Sequence, residues 1–387
     1  YYTLEYKMKK IVLSGVNMTE GGILTIYKNV ISILRTDCKI QVYCLVHDKK
    51  LFEEFIGLEN FHFLEFPSIK SSWFKRIWFE FVTSETIRKE IQPDVWFCLH
   101  DITARVKATK QYVYCHNPSP FYQAKLSDFF IDKKFFLFTK FYRFLYAINI
   151  KKNNAVVVQQ SWIADSFHSF YKINNIIVSR PVNKAHEKKD CPDDNEKKNK
   201  GFTLIYPAIP RVFKNMEVLI DAMDILKKEH PDIYKSCKIL LTFSKGHNKY
   251  GDYIIDICQR KSIENISFIG FKSHSEIKKI LSNECDGVIF PSKLETWGLP
   301  LTEAMDAEQN LLAADLPYAK ETIGTYKKVA YFSPDDSHEL MTLLLNFALG
   351  TAHFNGASKE QNVSNTSNNK WKVLQDWNEL KELILMD

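Results

Sequence analysis

Glu295 and Glu303 stand eight residues apart, on either side of Gly298 and Pro300, in the stretch Pro291-Ser292-Lys293-Leu294-Glu295-Thr296-Trp297-Gly298-Leu299-Pro300-Leu301-Thr302-Glu303-Ala304-Met305. A carboxylate accepts two hydrogen bonds side by side, which suits vicinal hydroxyls, and the amides at a helix start donate to anions. A sugar attached to a nucleotide needs both. The stretch follows the apolar run Gly287-Val288-Ile289-Phe290. It therefore reads as strand, ligand-facing loop and helix N-terminus, the place where open α/β proteins bind phosphorylated ligands. Gly298 lets the backbone come close to a ligand. Glu303 is expected in the first turn of a helix Leu301 to Ala307. The helix dipole favours a carboxylate there with or without a ligand, so capping and ligand binding are both open for it.

Arg211 and Lys214 follow the strand-like run Phe202 to Tyr206 and a proline-containing loop, and Lys214 is expected to open the helix Asn215 to Lys228. Cations at that point can neutralise a diphosphate leaving group as its charge develops; the plainer alternative is ordinary surface cations. His116 ends the strand Tyr112 to Cys115 and precedes Asn117-Pro118. A neutral imidazole at a strand end can donate to a sugar oxygen or meet the reacting centre, or it can be structural. Gly21 and Gly22 lie in the loop between a first strand, Lys9 to Gly15, and a helix Ile23 to Leu34, which leaves backbone amides for an anion. His100-Asp101, at the end of the preceding strand, reads more readily as structural. No His or Cys pair has metal-ligand spacing and no Asp-x-Asp signature stands outside a charged run, so no metal is expected.

The elements that must position these groups alternate at βα spacing. Further strands are expected at Lys39 to Val46, Phe61 to Phe66, Val95 to Leu99, Ala155 to Val158 and Ile176 to Ser179. A second series runs Phe202 to Tyr206, Lys238 to Phe243, Ile266 to Ile269, Gly287 to Phe290 and Asn310 to Ala314, with helices at Tyr250 to Gln259 and Ser275 to Leu281. Such alternation implies parallel sheets. Between the series, Asn183 to Gly201 is dense in Lys, Asp and Glu and nearly devoid of apolar residues, too little to bury. The expected organisation is an N-terminal domain over residues 1–185, a charged linker over 186–200, a C-terminal domain over 201–370, and a helix within 371–387 that packs back on the N-terminal domain.

Length and composition agree with two domains. The chain has 387 residues, of which 45% are hydrophobic, enough for two medium cores. Its formal charge of +6 permits an anionic partner without requiring nucleic acid. The eight cysteines are scattered without CxxC pairs, mostly in apolar runs, as in a protein of the reducing cytosol. No segment approaches the roughly 18 uninterrupted apolar residues of a membrane span, and none reads as a signal peptide. Two stretches, Ser72 to Phe79 and Phe129 to Tyr146, mix large aromatics with cations. They suit the interface of an anionic bilayer or a lipid-linked acceptor, or else form core helices with solvated basic edges. Aromatics beside cations also suit nucleic acid, but no recognised module accompanies them and none is expected to bind.

With these motifs the chain resembles a bacterial retaining glycosyltransferase of family 4, of the type that builds O-antigen and other envelope polysaccharides. The resemblance rests on the Glu295 to Glu303 element and on Lys214-Asn215, with Gly21-Gly22 and His116 in support. It implies the GT-B fold, two Rossmann-like α/β domains with parallel sheets facing each other across a cleft. It also implies roles: Glu303 on the ribose hydroxyls, Glu295 on the donor sugar, and the amides of Trp297, Gly298 and Leu299 orienting that sugar. Lys214 would grip the diphosphate, Gly21 and Gly22 would let phosphate and acceptor pass, and His116 would meet the sugar near the reacting carbon. In similar enzymes an arginine stands five residues before the lysine; Ile209 holds that position here, and Arg211 is taken as the second phosphate contact. The donor would be a GDP- or UDP-sugar, GDP-mannose before others, and no further cofactor is required. The acceptor would be lipid-linked or an oligosaccharide, and the location cytoplasmic, with peripheral contact on the inner membrane. Two other readings share the architecture: a nucleotide-sugar epimerase, and a non-catalytic nucleotide-sugar-binding protein.

Overall fold

A computed structural model describes residues 8–181, 201–354, 356 and 370–386. The expected linker over 186–200 lies outside the described residues. The chain divides into two compact units: Tyr1–Phe121, Lys140–Lys184 and Asn369–Asp387 form one, and Tyr122–Thr139 and Ala185–Asn368 the other. Residues 122–139, inside the span 1–185 expected as one domain, thus group with the second unit.

The first unit carries strands β1 (Lys9–Ser14), β2 (Ile40–Val46), β3 (Phe61–Glu65), β4 (Val95–Cys98), β5 (Lys110–Cys115), β6 (Ala155–Val158) and β7 (Ile176–Ser179). The second carries β8 (Phe202–Tyr206), β9 (Cys237–Leu241), β10 (Ile266–Phe268), β11 (Gly287–Phe290), β12 (Asn310–Ala314) and β13 (Val329–Phe332), and β14 (Lys372–Leu374) returns to the first. Every pairing is parallel, in the orders β14-β7-β6-β5-β4-β1-β2-β3 and β10-β9-β8-β11-β12-β13. Strands such as β4, β6 and β11 are buried along their whole length, which is why they read as unbroken apolar runs. Each sheet grows outward in both directions from a central pair, β1 and β4 in one and β8 and β11 in the other. That reversal opens a crevice at the carboxyl ends of the central strands, where doubly wound sheets bind ligands.

Several boundaries differ from the sequence-based expectation. The segment Trp371 to Met386, expected as one helix, is β14 followed by the helix Trp377–Leu385. β14 extends the first sheet beside β7, and Trp377, Leu380 and Ile384 enter the same core as Ile11, Val30 and Tyr114. Lys9 Nζ donates to the Leu385 carbonyl at 2.6 Å and Lys110 Nζ to the Met386 carbonyl at 2.7 Å, cations placed at the negative end of that helix. β13 was not expected at all. The helix expected over Asn215 to Lys228 begins at Glu217, because Val212–Lys214 forms a short 3-10 turn and Asn215 takes φ +54°. The helix expected from Leu301 begins at Leu299, with Gly298 before it at φ +80°.

Candidate active site

At the switch point of the second sheet, the loop after β8 supplies Lys214 and the loop after β11 supplies Glu295. Their side chains form an ion pair, each 14% exposed. Lys214 Nζ also lies 5.7 Å from the centre of the Phe290 ring and 5.5 Å from that of Phe213, so the cation is held against aromatic faces. Arg211 lies exposed just before the 3-10 turn that carries Lys214.

The Glu295 loop is fastened from beneath. The Asn215 amide donates to the carbonyls of Pro291 at 3.2 Å and Pro334 at 2.7 Å, a reach its left-handed backbone allows. Tyr318 donates its hydroxyl to the Ser292 carbonyl at 2.6 Å, Ser292 bonds the Leu294 carbonyl at 3.1 Å, and Thr322 bonds the Trp297 carbonyl. The Trp297 indole donates to the Thr302 hydroxyl at 3.1 Å. Trp297 is buried while Leu299 is half exposed. Gly298 needs no side chain: at φ +80° most residues would be strained, and a Cβ would stand 3.3 Å from Leu301.

Because its helix starts at Leu299, Glu303 lies in the second turn and not the first, so it caps nothing. His274, which sequence reading passed over, approaches it, Nδ1 to Oε1 at 3.3 Å. Burial pushes the Glu303 carboxyl above its usual range, and the His274 imidazole opposes that push.

In the first unit Gly21 opens the helix Gly21–Leu34 at φ +64°, exposed and with open space where a Cβ would be, and Gly22 is exposed beside it. His116 is placed at the end of β5 but turned inward. Its ring stacks on Tyr114 at 4.5 Å, Nε2 lies 2.6 Å from the Leu99 carbonyl, and the Gln159 amide lies 3.2 Å from Nδ1. A carbonyl only accepts, so Nε2 carries the proton. Burial lowers the His116 pKa, which keeps the ring neutral.

Sequence reading missed the partners of His100. Glu80, in the aromatic run Phe79-Glu80-Phe81, is fully buried and meets the buried His100 at 2.9 Å. Arg76, also buried, donates to the His100 carbonyl. A lone carboxylate between two phenylalanines was the available signal, since such a group is buried only with a partner. Among the described residues, no three His, Cys, Asp or Glu side chains gather as a metal site.

Comparison with known proteins agrees with this architecture. Residues 187–349 match the family described as "Glycosyl transferases group 1". The O-antigen chain mannosyltransferase RfbU of Salmonella typhimurium is 25% identical over 240 residues, 61% of this chain; the match spans 60% of that relative's length. Anabaena HepE, in a crystal structure with UDP and glucose, superposes with a TM-score of 0.57 at 13% identity over 92% of this chain and 99% of its own. Sucrose-phosphate synthase from Thermosynechococcus elongatus does so with a TM-score of 0.60 at 12% identity over 97% and 98%. The chain has the GT-B fold, two Rossmann-like domains with parallel sheets.

Proposed function

We propose that the protein is a retaining glycosyltransferase of family 4 that moves a sugar from a nucleotide-diphosphate donor to a lipid-linked or saccharide acceptor in envelope polysaccharide assembly. The observation that carries this reading is the Lys214–Glu295 pair at the switch point of the second sheet, beside a glycine-capped helix bearing Glu303. In this reading Glu303 accepts from the ribose hydroxyls, and Lys214, helped by the exposed Arg211, neutralises the diphosphate. Glu295 accepts from the donor sugar, which the amides of Trp297, Gly298 and Leu299 orient. In the first unit, Gly21 and Gly22 give phosphate and acceptor room, and His116 offers its Nε2–H to the sugar near the reacting carbon in exchange for the Leu99 carbonyl.

The acceptor oxygen bonds to the anomeric carbon as the bond from that carbon to the diphosphate oxygen breaks, on the same face. The acceptor proton passes to the departing diphosphate, so no protein base is required. GDP-mannose is the first donor to test because RfbU is described as a mannosyltransferase, and UDP-glucose the second because the HepE structure holds UDP and glucose. Peripheral contact with an anionic membrane belongs to the same reading. Phe74 and Trp78 stack on one another at 6.3 Å and are 73% and 55% exposed, beside the exposed Lys75.

A thermal-shift screen of GDP-mannose, GDP-fucose and UDP-sugars identifies the donor. Release of nucleoside diphosphate in the presence of extracted lipid acceptor, with the anomeric configuration of the product, then tests transfer. Nucleotide binding without turnover of any activated sugar would sink the enzyme reading.

A further inference from the structure

Asp101 gathers the carboxyl edge of the first sheet around the turn that follows β5. Its backbone sits at φ +77°, a conformation that Asp and Asn adopt more readily than most residues. Its N–H donates to the Tyr114 carbonyl at 3.1 Å. Oδ1 accepts from the backbone N–H of His116 at 2.6 Å and of Asn117 at 3.0 Å, and lies 2.9 Å from the Tyr146 hydroxyl. Oδ2 accepts from the Tyr142 hydroxyl at 3.2 Å. Tyr142 and Tyr146 are one turn apart on the helix Lys133–Ala147, and both are buried. Tyr146 also receives the Asn117 N–H at 3.2 Å.

One carboxylate therefore holds two consecutive backbone amides and two phenols, and backbone donors to a carboxylate are among the stronger neutral-to-charged hydrogen bonds. The His116 ring is held on one side by the same segment, its Nε2–H being spent on Leu99, two residues before Asp101, and on the other by the Gln159 amide at Nδ1. A shift of the 99–101 segment would move the backbone and the ring of His116 together. The carboxylate itself is occupied by these donors, so its route to any chemistry runs through His116.

We infer that Asp101 is a positioning residue: its carboxylate fixes the His116–Asn117 turn and, with it, the tautomer and orientation of the His116 imidazole. The consequence for transfer rests on the role of His116 given above. Asp101→Asn is the informative substitution, because asparagine keeps the size and tolerates positive φ while removing the negative charge that the His116 and Asn117 amides share and turning an NH2 toward the Tyr142 hydroxyl.

The test uses the full chain with 15N-labelled histidine, the His116 signals being assigned by their loss in His116→Gln. The wild type is expected to show a single Nε2–H tautomer, and Asp101→Asn a mixture of tautomers. Turnover of UDP-glucose or GDP-mannose is expected to fall roughly 10²-fold in Asp101→Asn, the scale of a small misplacement of a group at the reacting centre. Nucleotide affinity by calorimetry stays within about twofold, and His116→Gln with Asp101→Asn is no slower than His116→Gln alone, as expected for two residues acting as one. Tyr146→Phe, which keeps the Asp101 charge and its bonds to the His116 and Asn117 amides while losing the hydroxyl's own bonds to Asn117, shifts the tautomer in the same direction by less.

An unchanged His116 tautomer in Asp101→Asn overturns the inference. So does a loss of turnover that adds in full to that of His116→Gln, or one that merely follows a common fall in melting temperature and nucleotide affinity. Unchanged turnover in His116→Gln overturns the role of His116 in transfer, and with it the effect assigned to Asp101; the tautomer comparison shows separately whether Asp101 holds the ring.

Discussion

Lys214 and Glu295 form an ion pair between the loops that follow β8 and β11, each side chain 14% exposed, although 81 residues separate them in sequence. Two charges so nearly removed from water depend on each other. Taking one away leaves the other desolvated and unpaired, whereas a diphosphate arriving at Lys214 supplies a competing anion. In the proposed function a donor would meet a cation already in place, and its diphosphate would release Glu295 toward hydroxyls.

Lys214→Ala is expected to destabilise the protein by roughly 3 kcal/mol, the lower end for breaking a buried pair. In urea unfolding Glu295→Gln is expected to cost less, because its amide oxygen still accepts from Lys214. Nucleoside-diphosphate affinity by calorimetry should fall about ten- to hundredfold in Lys214→Ala and change little in Glu295→Gln. Equal losses of affinity in the two would assign the diphosphate contact elsewhere.

In the proposed function Glu303 is expected to give donor binding its pH dependence. Its pKa is raised in the fold, chiefly by burial, so its contribution to stability is complete below the unfolded value and is lost as pH rises through the folded value. The ionised carboxylate needed to accept from ribose hydroxyls is complete only above that folded value. Donor affinity is thus expected to climb with pH at a point above the ordinary glutamate range. Glu303→Gln should bind about ten- to hundredfold more weakly at neutral pH, with a flat profile and no loss of melting temperature. A wild-type profile as flat as that of the variant would remove Glu303 from the ribose.

Leu380 tests how far the first unit depends on the returning C-terminal helix. It is fully buried in the core that holds Ile11 and Val30. Leu380→Ala is expected to cost about 2–5 kcal/mol. Calorimetric unfolding should show that loss without any change in nucleotide affinity, since Lys214, Glu295 and Glu303 belong to the other unit.

Phe74 and Trp78 test the membrane reading. Both are exposed and stack on each other, so replacing them by serine removes apolar surface without opening the core. Sedimentation with vesicles containing phosphatidylglycerol is expected to weaken about ten- to hundredfold for each ring lost, as each buried side chain contributes roughly 1.5–3 kcal/mol. Binding that persists in the double variant would make this helix an ordinary surface element.

Much of this protein was legible in its chain. Parallel strands covered on both faces must be apolar throughout, so runs such as Val95 to Cys98 and Gly287 to Phe290 stood out, and their βα spacing implied two parallel sheets, which the family resemblance cast as Rossmann-like. The Glu295 to Glu303 element was equally visible, because a strand, a glycine turn and a proline-started helix are local features. Element ends were less so. Asn215 delays its helix by taking a left-handed conformation, and β14 is too short to outweigh the helical pattern that follows it. Tertiary structure alone decided which charges meet: Lys214 with Glu295, His274 with Glu303, Glu80 with His100, and Asp101 with the His116 turn. Those partners come from loops and helices far apart in sequence. Only the parallel ladder, by bringing the carboxyl ends of its strands to one edge, sets them within hydrogen-bonding reach.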